Sequence, residues 1–177
     1  MDICKGRPEN CGIRLNKETR TYDLLDKLNI EYFRVDHTPA NKMEACREID
    51  AKLGIVVCKN LFLRNRQKTR FYLLMMPSDK PYRTSVFSKL VKSSRLSFGT
   101  PEDMERMLDV TPGSVSVMGL MNDTDCAVQL CIDKAVLEPD YIGCHPCINT
   151  SSIRIKTSDL TDIFLPAVKH KYTVVEL

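Results

Sequence analysis

Apolar residues recur along this chain in two periods, helical and strand-like, and their alternation lays out the elements. The first 17 residues mix Gly, Pro, Asn, Cys and charged side chains without a period, and they read as a lead-in to a domain spanning 18–177. From near Lys17, the residues Leu24, Leu25 and Leu28 form a stripe at helical spacing with charges between them. Residues 31–36 are aromatic and β-branched, which predicts a strand, and His37-Thr38-Pro39-Ala40 breaks it. Residues 42–53 return to the amphipathic helical pattern, with Gly54 as the stop. The clearest β signal follows. Residues 55–65 and 70–77 are apolar runs joined by a short polar link, the pattern of a hairpin.

Beyond the hairpin the pattern predicts a helix over 86–91 and a short strand over 95–98. Thr100-Pro101-Glu102-Asp103 opens a helix: Thr100 caps it, Pro101 fits its first position and Asp103 reaches back to the cap. Met104, Met107 and Leu108 supply its buried side. Thr111-Pro112-Gly113-Ser114 reads as a turn. Strands are expected over 126–133, 152–156 and 172–177, with Thr157 capping a last helix that runs through Leu165. Strands and helices alternate without an internal repeat, so the expected fold is a single α/β domain with a mixed β-sheet flanked by helices.

Composition narrows the class of protein. Of 177 residues, 43% are hydrophobic and 28% charged, which excludes a disordered chain, a fibre and a small disulfide-stapled scaffold. No uncharged apolar run reaches the roughly 18 residues a membrane crossing needs, and MDICKGRPEN has no apolar signal core. The expected location is therefore cytoplasmic, where the eight cysteines would stay reduced. Net charge is only +3, but residues 59–106 carry 11 Lys or Arg against 4 Asp or Glu. That basic middle is either a solvated face or a surface for an anionic partner such as phosphate.

Four places interrupt apolar runs with polar chemistry. Lys59 and Asn60 lie inside the strand-like run VVCKNLFLRN. Alternation puts Lys59 with Leu61 and Leu63, and Asn60 with Phe62 and Arg64. A Lys among leucines is costly to bury unpaired, so it turns to solvent or projects into a pocket to meet a phosphate, a hydroxyl or a carbonyl. Gly113, with Ser114 and Ser116, forms a bend whose backbone N–H groups can serve an anion or a carbonyl oxygen, or simply turn the chain. Residues 143–150 crowd His145, Asn149 and Thr150 into a turn, where they either position a substrate or satisfy the turn's backbone. The same stretch holds Cys144 and Cys147 at C-x-x-C spacing. No second pair completes a four-cysteine zinc site and no helix follows to suit a redox motif, so neither zinc nor thiol redox is the favoured reading. His37, after its strand, reads as structural. A catalytic triad with an elbow, a phosphate-binding P-loop and a dinucleotide fingerprint are all missing.

Taken together and in order, VVCKNLFLRN, the stretch 95–123 (RLSFGTPEDMERMLDVTPGSVSVMGLMND) and the stretch 143–156 (GCHPCINTSSIRIK) resemble the YbaK/ProX-type prolyl-tRNA editing domain family, with its ProX-like branch as the nearest fit. These are free-standing aminoacyl-tRNA deacylases, and the resemblance spans 18–177. It implies a partly barrel-like mixed sheet and hydrolysis of a mischarged amino acid from tRNA(Pro). Alanine is the first expectation, cysteine and serine the alternatives. The implied partners are the acceptor end of tRNA(Pro) and prolyl-tRNA synthetase, with neither a membrane nor DNA. No cofactor and no metal are expected. Lys59, Gly113 and His145 are the expected catalytic residues: Lys59 anchors the terminal nucleotide, the N–H groups at Gly113 hold the carbonyl oxygen or the attacking water, and His145 shapes the amino-acid pocket and relays a proton. Asn60, Ser114, Asn149 and Thr150 are the expected substrate contacts. The activated ester needs only a positioned water or the ribose hydroxyl. The competing expectations are a non-catalytic tRNA- or synthetase-binding module of the same fold and a zinc or thiol-redox protein.

Overall fold

The computed structural model describes residues 2–39, 43–55 and 58–177, the side chains of residues 43–47 excepted. The expected helix start at Lys42, Val56 and Val57 of the strand expected over 55–65, and the Cys46 side chain lie outside the described residues. Nine strands divide between two sheets among the described residues. The four-stranded sheet is antiparallel in the order β1-β2-β8-β7, formed by β1 (Ile3–Lys5), β2 (Phe33–Asp36), β7 (Tyr141–Cys144) and β8 (Ser151–Lys156). The five-stranded sheet runs β5-β3-β4-β6-β9, formed by β3 (Cys58–Asn65), β4 (Phe71–Pro77), β5 (Leu96–Phe98), β6 (Val128–Asp133) and β9 (Tyr172–Val175). Its β5-β3-β4 part is antiparallel and its β4-β6-β9 part parallel.

The larger core takes one face of each sheet. Phe62, Leu73, Met75, Leu130 and Ile132 come from the five-stranded sheet, and Ile142, Ile153 and Ile155 from the other. Burying each such side chain contributes about 1.5–3 kcal/mol. The helix α1 (Asn16–Lys27) adds Tyr22 and Leu25 to this core. The opposite face of the five-stranded sheet carries Leu63, Tyr72, Leu74 and Met76 under Phe87 of α3 (Thr84–Leu90). On the outer face of the four-stranded sheet, Ile49 and Leu53 of α2 (Met43–Leu53) pack on Val35. The helix α4 (Pro101–Leu108) begins with the expected capping box between Thr100 and Asp103. The same Asp103 accepts from Arg64 at 2.6 Å, tying α4 to β3.

The differences from the sequence pattern have local causes. The lead-in contains β1, whose three residues pair antiparallel with β2 but are too few to show alternation. The strand β7 is masked by Gly143 and by the following turn. Thr157 does not cap the last helix. It is the first residue of that helix, with Lys156 at the cap position, and its hydroxyl donates instead to Pro139 O. The helix continues through a π-helical stretch, Leu160–Phe164, to Ala167. No helix among the described residues is long and apolar enough to cross a membrane.

Candidate active site

A compact cavity of about 80 Å³ opens where the outer face of the four-stranded sheet meets the start of β3. Its wall is built from Asp50 of α2, Asn60 of β3, Gly113, His145, Asn149 and Ser152, with Cys58 and Cys144 and the apolar Ile49 and Ile55 completing it. A Cβ on Gly143 would sit 2.0 Å from Ile55 Cδ1, so the end of the Ile55 side chain would have to turn away.

Gly113 enters the wall by turn chemistry. Pro112 and Gly113 occupy the two central positions, and Gly113 has φ +86°, the order and sign of a type II turn. Ser114 closes the bend. Its N–H and its hydroxyl both donate to Thr111 O, each at 2.9 Å, and its hydroxyl accepts from Thr111 N–H at 3.0 Å. Among the described residues, Gly113 N–H donates to no protein acceptor. Across the cavity, a Cβ on Gly113 would lie 3.6 Å from Asn149 Nδ2.

His145 is held from both ends. Ser116, fully buried, donates to its backbone carbonyl at 2.5 Å, and His145 Nδ1 lies 2.9 Å from Ser151 O. A carbonyl only accepts, so Nδ1 carries the proton and Nε2 is left as the acceptor of the neutral ring. Burial lowers the His145 pKa from its ordinary 6.5. The Ser151 carbonyl opposes this shift and the neighbouring His37 adds to it. The ring is therefore neutral at pH 7. Behind it, Ser152 Oγ lies 3.4 Å from His145 Nδ1 and 2.9 Å from His37 Nε2, while His37 Nδ1 donates to Thr38 O at 2.8 Å. A hydroxyl thus links the two imidazoles, whose centroids are 6.2 Å apart.

Asp50 contributes a carboxyl group whose pKa burial raises to about 6. The Cys58 thiol, which donates to Gly143 O at 3.4 Å, is pushed up to about 12 by burial, and Cys144 is raised well above 9. Neither thiol is ionised at neutral pH. Cys147 is buried away from the cavity, accepts from the Thr21 hydroxyl at 3.6 Å and is pushed up to about 11. Among the described residues, no three His, Cys, Asp or Glu side chains gather as a metal site.

Of the residues singled out in the sequence, Asn60, Gly113, His145 and Asn149 meet at this cavity. Three others do not. Lys59 projects from the opposite face of β3, beside Leu61 and opposite Met76 in register, because side chains alternate along a strand. Its ammonium donates to Ser78 O at 3.3 Å and to Lys80 O. The expectation that Lys59 enters the pocket is therefore corrected. Ser114 is consumed by its own turn. Thr150 is exposed, lines a separate surface depression with Arg14 and Asp36, and accepts from His37 N–H. Asp50 and Ser152 are the groups sequence reasoning passed over, and His37, read there as structural, reaches His145 through the Ser152 hydroxyl. Asp50 looks like any acid on an amphipathic helix, and only its place next to the buried Ile49 hints at its direction.

A neutral imidazole acceptor, an uncommitted backbone N–H and a cramped polar wall can accept a proton from water and polarise a carbonyl. By its chemistry, this is a site able to open an activated ester without a covalent nucleophile. The aminoacyl-tRNA editing domain family model matches residues 37–163, which contain every residue of the cavity wall, and the chain belongs to that family. It is 28% identical over 153 residues to the prolyl-tRNA editing protein ProX of Acetoanaerobium sticklandii, covering 86% of this chain and 93% of that one. It is also 28% identical over 160 residues to the prolyl-tRNA synthetase associated domain-containing protein 1 of Danio rerio, covering 89% and 85%. Among solved structures, a proposed trans-editing enzyme for prolyl-tRNA synthetase shares the fold. It has a TM-score of 0.68 at 16% identity, with 93% of this chain and 98% of that chain covered.

Proposed function

We propose that this chain is a free-standing deacylase that hydrolyses mischarged tRNA(Pro), with Ala-tRNA(Pro) as its first substrate. The observation that carries the reading is that His145, whose Nε2 is left as an acceptor, and Gly113, whose N–H meets no protein acceptor among the described residues, line one small cavity. The names of the two relatives support prolyl-tRNA as the nucleic acid and prolyl-tRNA synthetase as the partner. In the proposed reaction, water attacks the ester carbonyl and gives a proton to His145 Nε2. Gly113 N–H holds the oxygen on which negative charge develops, a contact typically worth about 10²–10³ in rate. The tetrahedral intermediate then expels the ribose oxygen, which takes the proton back. Ser151 O fixes the tautomer that makes this possible, and Asn149 adds a polar contact beside Gly113.

Lys59 is not part of this chemistry. One residue from the cavity wall and partly exposed, it suits a phosphate outside the pocket. Arg66, Lys68, Arg70, Arg83, Lys89, Lys92 and Arg95 are exposed and join none of the ion pairs among the described residues, which suits an anionic backbone. A cavity this small suits a small side chain, which supports alanine as the first substrate to test. Deacylation of Ala-, Cys-, Ser- and Pro-charged tRNA(Pro) tests the reading. The expected order places Ala first and leaves Pro intact, and removal of proline at the alanine rate would overturn it.

A further inference from the structure

Two acceptor oxygens in this cavity have nothing to accept from. Asp50 Oδ1 on α2 and Asn60 Oδ1 on β3 are both buried, and neither meets a donor among the described residues. Both residues line the same wall. A buried acceptor left without its hydrogen bond costs about 1–3 kcal/mol, and more when it is charged. Two of them facing one cavity describe a missing donor.

Three neighbouring donors are already committed. His145 Nδ1–H donates to Ser151 O, His37 Nδ1–H to Thr38 O and Cys58 to Gly143 O. Arg154 donates from Nη1 to Leu53 O at 2.6 Å, at the C-terminal end of α2, while its guanidinium stacks between Phe33 and Tyr141. It pins the helix that carries Asp50 and directs that donor to the helix end. A group suited to serve a carboxylate and an amide oxygen at one small cavity is a compact cation with several N–H donors.

The geometry points to a subsite for the α-ammonium of the aminoacyl ester, with Asp50 as its counter-ion and Asn60 as its second acceptor. This rests on the deacylase reading and extends it to substrate class. The enzyme requires a free amino group, so it spares esters whose amine is blocked, including those that carry a growing peptide. The ammonium also neutralises the Asp50 carboxylate, whose Oδ1 meets no donor among the described residues.

The test uses the full chain, as wild type, Asp50→Asn and Asp50→Glu, with Ala-tRNA(Pro) and its N-acetyl derivative. Wild type is expected to favour the free amine by at least about tenfold in kcat/KM, because a site built to hold a polar group rejects the analogue that lacks it. Asp50→Asn is expected to lose most of that preference by slowing the free-amine ester alone, and Asp50→Glu to recover part of it. Calorimetric titration with the alanyl and N-acetylalanyl 3′-amides of 3′-amino-3′-deoxyadenosine gives a reading independent of turnover: the free amine binds, and Asp50→Asn abolishes the difference. Equal treatment of the two esters by wild type overturns the subsite and leaves the deacylase standing. So does an equal fall on both esters in Asp50→Asn, which marks a packing role. Cleavage of neither ester, with Asp50-dependent binding of the amine, sinks the deacylase reading and keeps the subsite.

Discussion

The two faces of β3 carry adjacent polar residues with opposite fates. Lys59 finds two carbonyl partners, at Ser78 and Lys80, on the face shared with Leu61 and Leu63. Asn60, one residue on, faces the cavity with a buried oxygen that meets no partner. The charged residue is the more conspicuous in the sequence, yet two of its three ammonium donors are already spent on carbonyls of the fold. The amide is plain in the sequence and unfinished in the structure. Unmet bonding capacity beside a cavity, rather than an unusual residue type, is what singles out Asn60, since Tyr72 Oη on the other face is equally unpaired but lines no cavity wall with it.

The largest break in this contrast comes at His145, the acceptor opposite β3. His145→Ala is expected to lower kcat/KM for Ala-tRNA(Pro) by about 10²–10⁴, the usual weight of a positioned proton acceptor. Because burial holds the pKa of the ring below 6.5, wild-type kcat should already be flat from pH 7 to 8.5 as far as His145 is concerned. Single-turnover rates across that range check both statements. A loss confined to KM would leave His145 as a wall of the pocket and nothing more.

Next in size is the direct comparison of the two neighbours. Asn60→Ala should cost about 10- to 100-fold in kcat/KM at any salt concentration, the weight of a buried hydrogen bond to a charged group. Lys59→Ala should act mainly on KM, and it should flatten the log–log salt dependence of tRNA binding by about one unit, as expected for one phosphate contact. Filter binding across a salt series, alongside deacylation rates, separates them. If Lys59→Ala instead abolishes kcat at saturating substrate, the two faces are not functionally distinct.

How much of this was legible beforehand follows from the same alternation. The period along 55–65 assigned Lys59 and Asn60 to opposite faces, and β3 keeps that division. The period carries no information about which face meets the cavity. That depends on β7 and β8, about 80 to 95 residues away, and on α2 crossing above them. The capping box at Thr100 and the bend at Gly113 were readable because their determinants are local, with Pro and Gly at fixed offsets. Short elements such as β1 and β7 carry too few residues for a period. Asp50 and Ser152 were hidden for a different reason. Each is an ordinary residue in an ordinary pattern, given its role only by what tertiary packing withholds from it or hands to it.

The smallest effect is one of stability, and it has the opposite sign to the effects on activity. The Asp50 carboxyl moves from an ordinary 3.8 to about 6 in the fold because burial penalises its charge. A folded-state pKa above the unfolded one means that the native state holds the proton more tightly. The stability this provides is complete below about pH 4 and is lost as pH rises through about 6. At pH 8 the native state therefore carries an ionised, unneutralised carboxylate. The full shift corresponds to at most about 3 kcal/mol, and water reaching this partly buried group trims it to about 1–2 kcal/mol. Asp50→Asn should accordingly be the more stable protein at pH 8 by about that amount, and the two should converge near pH 4. Urea denaturation at the two pH values measures the difference. A variant that loses the amine-dependent reaction while gaining stability only at high pH places the penalty on a charge kept for substrate, whereas one destabilised at both values makes Asp50 a structural group.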